Sequence, residues 1–239
     1  MGPTLKSVPS YSLNMSKSRL FGIAGVDEAG RGPMIGPMVV CGVLIDPDKI
    51  SELNKIGARD SKTLSPSRRQ TLSQKIKVLV TKVEIRSVSA ADIDRLRKRT
   101  TLNEIEVTKF ASVVKALKPK EVYLDAADVN PKRFGKKVGE MSGISAMGAK
   151  IVSEHKADSK YPIVSAASIL AKVERDRVIE VMHQEYGDFG SGYPSDPKTI
   201  RFVRGLFEEG TALPPIIRQS WDSVKKIRES IEQATLDSF

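Results

Sequence analysis

The sequence predicts an α/β fold in which one mixed sheet is followed by a helical extension, and three observations carry that expectation. Two apolar runs of strand length, residues 20–26 and Met38–Ile45, flank a turn-rich stretch. Apolar stripes at helical spacing follow within residues 90–118 and 162–186. The strand-like segments end in carboxylates, at Asp27, Glu28 and Asp125.

Taken in order, residues 1–19 are rich in Ser, Pro and Lys and are expected to form a flexible tail, with Met15 as an alternative start. The run LFGIAGV at 20–26 suits a strand. Residues 29–37 hold the Gly and Pro of a loop, so the chain should return through Met38–Ile45 as a hairpin. Beyond Asp46 it turns helical, breaks near Gly57, and opens a helix at Pro66 with Ser65 as its cap. Residues 82–89 alternate as a third strand. Residues 90–118 are expected to be helical, because Phe110, Val113, Val114 and Leu117 share one face. A short strand at 121–125 comes next. A long helix spans 162–186, with Ala166, Ile169, Leu170 and Val173 on one side and Asp158 in the loop before it. Two helices fill the region from Pro197 onward, parted by the Pro214-Pro215 loop. The expected division is a tail at 1–19, one α/β domain at 20–200, and a helical extension at 201–239.

Composition narrows the function. The 239 residues carry 39 basic and 29 acidic side chains, a formal charge of +10 and a pI near 9.6. Such a surplus favours polyanionic partners, nucleic acid first among them. The single cysteine, Cys41, excludes an internal disulfide, suits a buried inert thiol, and fits a reducing, cytoplasmic setting. The longest uncharged stretch, residues 32–45, is shorter than the ~18 residues of a membrane span and carries two prolines.

Adjacent carboxylates in an apolar segment repel unless a proton or a cation separates them. Hard oxygen donors suit Mg²⁺ or Mn²⁺, and with only two histidines in the chain zinc is not indicated. Aspartates at strand ends also serve as turn residues and caps, and Asp125 alone would be read that way. The glycines at 30, 32 and 36 give GxGxxxG with Pro33 inside the turn, which matches neither a dinucleotide-binding loop nor a P-loop.

The segment GVDEAGRGP at 25–33 resembles the signature of type 2 ribonuclease H. DSKTLS (60–65), TTLNEIE (100–106), YLDAAD (123–128), HKADSKYPIVSAASILAKVERD (155–176) and GSGYPSDPKT (190–199) follow that family's order and spacing. The resemblance covers roughly residues 20–222 and is greatest to the archaeal single-chain branch, ribonuclease HII. It implies a ribonuclease H-like mixed five-stranded sheet flanked by helices. It also implies metal-dependent cleavage of the RNA strand of RNA–DNA hybrids, and incision 5′ of single ribonucleotides embedded in DNA, with roles in replication and ribonucleotide excision repair. The family's metal-binding carboxylates fall on Asp27, Glu28, Asp125 and Asp158. Two Mg²⁺ or Mn²⁺ ions about 3.5–4 Å apart would activate water and neutralise the leaving oxygen, giving 5′-phosphate and 3′-hydroxyl ends.

By the same resemblance, Gly30, Arg31 and Gly32 form the loop whose backbone contacts the 2′-hydroxyl, the group that tells RNA from DNA. Tyr193 matches the tyrosine that packs at the RNA–DNA junction, and Ser61, Lys62, Asn103 and Lys172 match the substrate groove. His155 is expected to be structural or to support the site, and His183 to be structural. The C-terminal QATLDSF places Gln233, Leu236 and Phe239 at QxxLxxF spacing, similar to peptides that bind the sliding clamp, although it ends in one aromatic where the usual motif has two. A hybrid-binding module without cleavage, a type 3 ribonuclease H and a DNA-directed nuclease are the competing readings. The chain is expected to act as a monomer.

Overall fold

The computed structural model describes residues 20–58 and 64–236. Its centre is a five-stranded sheet built from β1 (Ile23–Ala29), β2 (Met38–Ile45), β3 (Lys82–Val88), β4 (Glu121–Asp125) and β5 (Lys150–Glu154), in the order β3-β2-β1-β4-β5. The expected hairpin is present, with β1 antiparallel to β2 and Asp27 opposite Cys41. β3 continues antiparallel on β2, whereas β4 runs parallel to β1 and β5 parallel to β4. The sheet is therefore mixed, and its order is that of a ribonuclease H-like fold.

Helices cover both faces, as a sheet with parallel central strands requires. On one side lie α1 (Ile50–Lys55), α2 (Pro66–Leu79) and the 25-residue α7 (Pro162–Tyr186), packed on Val39, Cys41, Val43 and Ile45. Cys41 is fully buried there, and burial pushes its thiol well above its usual range. On the other side α4 (Leu102–Leu117) and α5 (Pro131–Ser142) pack on Val26, Val40, Leu44 and Leu124. Phe110 and Phe134 meet edge to face at 5.1 Å and join those two helices. A third core gathers α8 (Pro197–Glu208) and α9 (Asp222–Leu236) around Met34, Ile35, Ile179 and Phe189.

Three details differ from the sequence expectation. Residues 90–118 are two helices, α3 (Ala90–Arg97) and α4, because Thr101 stops the run and caps the second helix, its hydroxyl accepting from the Glu104 N–H. Asp158 lies on a one-turn helix, α6 (Ala157–Lys160), not in a loop; Lys156 initiates it from a left-handed φ of 55°. The helix α5 and the strand β5 stand where the residues alone suggested no element. Among the described residues no helix is long and apolar enough to cross a membrane.

One contact sets the spacing between α7 and the sheet. A Cβ on Gly25 would lie 2.4 Å from the Ile163 carbonyl carbon and 2.6 Å from the Val164 nitrogen. Backbone cannot retreat as a side chain can, so only glycine lets the first turn of α7 settle on β1. Gly25→Ala is expected to lower stability by about 1–3 kcal/mol, the usual range for forcing extra volume into a packed core. Urea unfolding measures it, and an unchanged midpoint would refute the contact.

Candidate active site

Asp27 lies toward the carboxyl end of β1, two residues before the strand stops, and Asp125 is the last residue of β4. The two strands run parallel with Val26 opposite Leu124, so the next residues end level. Asp158 joins them because α6 begins where the chain leaves β5, and the Ala157 N–H donates to Asp125 Oδ1 at 3.1 Å. One carboxylate oxygen from each of Asp27, Asp125 and Asp158 lies within 4.8 Å of the others. Asp27 and Asp158 are each only 5% exposed, so water screens this cluster little.

Consecutive strand residues face opposite sides of a sheet, and here that separates Asp27 from Glu28. Asp27 faces α7, where Ser168 hydrogen-bonds its side chain and the Lys172 cation lies near. Lys172 Nζ donates in turn to Ser168 Oγ at 2.7 Å. Glu28 turns toward α4 and the Glu106 and Arg31 side chains. Its Oε2 is buried without a hydrogen-bond partner.

The electrostatic consequence is strong. Burial, and then the Asp125 charge, push the Asp27 carboxyl up to about 7. Burial and the charges of Asp27, Glu106 and Asp125 hold Glu28 well above the usual carboxylate range, with Arg31 opposing. A set of hard oxygen donors, close-spaced, buried and short of positive charge, fits a divalent cation of the Mg²⁺ or Mn²⁺ kind.

These residues line one cavity of about 430 Å³, together with Gly30, Arg31, Gly32, Arg69, Lys172, Arg175, Asp176 and Tyr193. Four cationic side chains thus share the cavity with the carboxylates, as a phosphodiester substrate would need. Arg31 donates to Glu106 Oε2 at 3.3 Å and to Asn103 Oδ1 at 2.5 Å. Asn103 thereby stands beside the cavity through Arg31, and its Nδ2 lies 3.4 Å from Asp128. The Arg175 guanidinium sits 4.9 Å over the Tyr193 ring and donates to Ser191 O. The Gly192 carbonyl accepts from the N–H groups of Met34 and Ile35, tying the Tyr193 loop to the glycine-rich loop.

The family model for Ribonuclease HII matches residues 24–224. The chain belongs to the ribonuclease HII family. It is accordingly a metal-dependent endoribonuclease. Ribonuclease HII of Pyrococcus furiosus is 48% identical over 223 residues, 91% of this chain and 97% of that one. Ribonuclease HII of Methanosarcina mazei is 48% identical over 218 residues, 89% and 99% of the two chains. The crystal structure of the ribonuclease H2 from Pyrococcus horikoshii OT3 superposes with a TM-score of 0.81 at 43% identity, covering 88% of this chain and 99% of that one. Ribonuclease HII of Archaeoglobus fulgidus, solved as a complex with PCNA, gives 0.80 at 41%, covering 91% and 100%. Bst-RNase HIII, at 19% identity and a TM-score of 0.69, shares the fold.

Of the residues expected at the ribonuclease HII site, the structure brings Asp27, Glu28, Asp125, Asp158, Gly30, Arg31, Gly32, Lys172 and Tyr193 to one cavity. Ser61, Lys62 and Phe239 lie outside the described residues. Gln233 is exposed on α9, which ends at Leu236. His155 Nδ1 hydrogen-bonds the Ala126 carbonyl at 3.0 Å, and His183 Nε2 the Gly190 carbonyl at 2.8 Å. Four contributors escaped sequence reasoning: Arg69 and Arg175 of the cavity wall, Glu106 beside Arg31, and Arg218, which donates to the Gly30 and Arg31 carbonyls. Glu106 had a signal, because it falls one turn before Phe110 on the apolar stripe of α4, and it is fully buried. Arg218 had none in its own neighbourhood.

The raised carboxyls make a testable link between pH and metal. The native state keeps the Asp27 proton up to about 7, whereas the unfolded chain releases it near 3.8. Between those values the native state binds more protons, so metal-free stability falls as pH rises through the window. Saturating Mg²⁺ or Mn²⁺ is expected to raise Tm strongly at about pH 8 and little at about pH 5. In Asp27→Asn the metal-free Tm at the higher pH should rise and the metal response shrink. Equal metal-induced shifts at both pH values would sink this account.

Proposed function

We propose that the enzyme cuts the RNA strand of RNA–DNA hybrids and incises on the 5′ side of single ribonucleotides embedded in duplex DNA, leaving 5′-phosphate and 3′-hydroxyl ends. The observation that carries this reading is the sharing of one cavity by the aspartate triad, the Gly30-Arg31-Gly32 loop and Tyr193. The first can hold the metal, the second can inspect a sugar, and the third offers a ring to the duplex.

Asp27, Asp125 and Asp158 would hold one divalent ion, and Glu28, with its unpartnered oxygen, would complete the set for a second. When bound, such ions supply an activated water and a stabilised leaving oxygen. The chain does the rest. Lys172 and Arg69, at the cavity wall, offset phosphate charge and align the scissile strand. Tyr193, backed by Arg175, packs where RNA gives way to DNA. Asn103, held by Arg31, extends the substrate groove, and Ser61 and Lys62 are further proposed substrate contacts. Backbone groups of the glycine loop engage the 2′-hydroxyl, both donor and acceptor, and a deoxyribose cannot answer them.

The two glycines answer to different constraints. Gly30 has φ +80° and a Cβ there would lie 2.4 Å from the Pro37 carbonyl oxygen, so the fold itself demands glycine. A Cβ on Gly32 would meet only Tyr193 Cε1, at 4.0 Å. The fold leaves that space open, and the proposed occupant is the substrate sugar. At the other end of the chain, Gln233, Leu236 and Phe239 form the proposed clamp peptide; the PCNA complex of the Archaeoglobus fulgidus relative supports it. A cytoplasmic monomer acting in replication and repair is the matching setting.

The deciding assay offers three labelled duplexes, with one ribonucleotide, with a continuous hybrid strand and all-DNA, in Mg²⁺ and in chelator. Metal-dependent cutting 5′ of the ribonucleotide is expected, lost in Asp27→Asn, with all-DNA untouched. Gly32→Ala should fold normally yet cut about 100-fold more slowly, the penalty of a small misplacement at a reacting centre. Cutting of all-DNA by the wild type would point to a general nuclease, and tight binding without cutting to a binding module. Separately, the double variant Leu236→Ala/Phe239→Ala should abolish binding to the sliding clamp while leaving cleavage intact. Absence of clamp binding by the full-length protein would remove that partner.

A further inference from the structure

The carbonyl oxygens of Gly30, Arg31 and Gly32 all accept hydrogen bonds from one short stretch of the C-terminal extension. Arg218 donates from Nη2 to Gly30 O at 2.5 Å and from Nη1 to Arg31 O at 2.9 Å. Trp221 Nε1 donates to Gly32 O at 3.2 Å. Arg218 Nε reaches Gly36 O at 3.0 Å, so all three guanidinium nitrogens end on carbonyls of the same loop. The Arg218 backbone N–H takes Met34 O at 2.8 Å, and Ile217 bridges Ile35. This stretch is itself anchored, since Asp94 of α3 accepts from the N–H groups of Gln219 and Ser220, at 2.7 and 3.0 Å. The guanidinium carbons of Arg218 and Arg97 each lie 4.8 Å from the Trp221 ring centre.

Arg218 is fully buried. A cation hidden from water is costly, and carbonyl dipoles repay less of that cost than a carboxylate would. An apolar side chain would fill the space more cheaply, so the guanidinium has to be explained by its geometry. Its donors form a rigid planar fork, whose fixed directions let one side chain hold three carbonyls of this loop in a set geometry.

The peptide unit is planar and trans, so each carbonyl points opposite to the N–H of the following residue. Holding the Gly30 and Arg31 carbonyls against Arg218 therefore turns the N–H groups of Arg31 and Gly32 the other way. Arg218 lies behind the loop while Gly30, Arg31 and Gly32 form the cavity wall, so the other way is toward the cavity. The third carbonyl precedes Pro33, which has no N–H, and the display is limited to two donors.

We infer that Arg218, backed by Trp221, is a positioning residue for ribonucleotide selection: it holds the loop's carbonyls so that the Arg31 and Gly32 N–H groups face the substrate sugar. The inference rests on the proposed reading of this loop as the 2′-hydroxyl reader. Arg218 touches no substrate atom. Nor is it among the residues that line the metal cluster, which sits on β1, β4 and α6.

The test compares Arg218→Met, Arg218→Lys, Trp221→Phe and Gly32→Ala, each with circular dichroism, the metal-induced Tm shift, and kcat and KM on the single-ribonucleotide duplex. Arg218→Met is expected to keep the metal-induced shift and to lose about 100-fold in kcat with KM little changed. Lysine, whose three donors sit on one rotatable nitrogen instead of a planar fork, should recover only part of that loss. Trp221→Phe keeps the ring and removes one donor, so about a 5-fold drop is expected, roughly 1 kcal/mol for one neutral hydrogen bond. Arg218→Met combined with Gly32→Ala should be no slower than the worse single variant, because both remove one function. Multiplying losses in the double variant, or wild-type kcat in folded Arg218→Met, would overturn the inference. If Arg218→Met does not fold, wild-type kcat in Trp221→Phe overturns it instead. Wild-type behaviour in Gly32→Ala would mean that the loop reading itself has failed, whatever Arg218 does.

Discussion

Three aspartates whose oxygens lie within 4.8 Å of one another, two of them nearly sealed from water, form an arrangement that like charges resist. The apolar cores above and below the sheet hold them there. Parallel pairing of β1 with β4 makes Asp27 and Asp125 end level, and the turn after β5 brings Asp158 up to them. The close seat of α7 on Gly25 then places Ser168 and Lys172 over Asp27, where they supply a hydrogen bond and a nearby cation. The sheet thus holds together like charges whose repulsion a divalent ion would relieve. The expected coupling of metal affinity to fold stability follows from that.

Glu28 belongs to the same cavity but to the other face of the sheet. Its neighbours are Glu106 and Arg31, and from Arg31 the contacts run to Asn103, Asp128 and Arg133. Burial pushes the Glu106 carboxyl upward while Arg31 pulls it down, so the Arg31 guanidinium is already paired at the cavity wall. This matters for how the glycine loop can act. With the Arg31 head group turned toward Glu106 and Asn103, the proposed contact with the 2′-hydroxyl falls to the loop's backbone. A backbone reader then has to be held by something other than its own side chains.

The strands, the long helix and the carboxylates were legible in the sequence because each is a local pattern. An apolar run bounded by glycines, a 3.6-residue stripe, and an acidic residue where a strand should end each need only a few neighbours to be seen. The break between α3 and α4 was harder. Thr101 and Glu104 carry the capping signal, but the apolar periodicity runs past it. α5 has its Pro131 start and Asn130 cap, yet its buried face includes Gly135 and Gly139, which no hydrophobic count reveals. Asp158 was placed correctly before the long helix, but its one-turn helix depends on Lys156 adopting a left-handed φ, which sequence does not announce.

What stayed out of reach is the set of groups that orient the site. Arg218 meets Arg31 across 187 positions of chain, and Arg175 stands under Tyr193 from another element. Such partners have no spacing rule, because nothing about residue 218 changes when the loop at 30–32 is read alone. The contrast follows from the physics. Chemistry needs particular functional groups, and those survive as short motifs. Orientation needs only that some donor arrive at a fixed carbonyl, and any distant segment that folds back can supply it. The helical extension is therefore bound into the catalytic site through its hydrogen bonds, although in sequence it resembles an appendage.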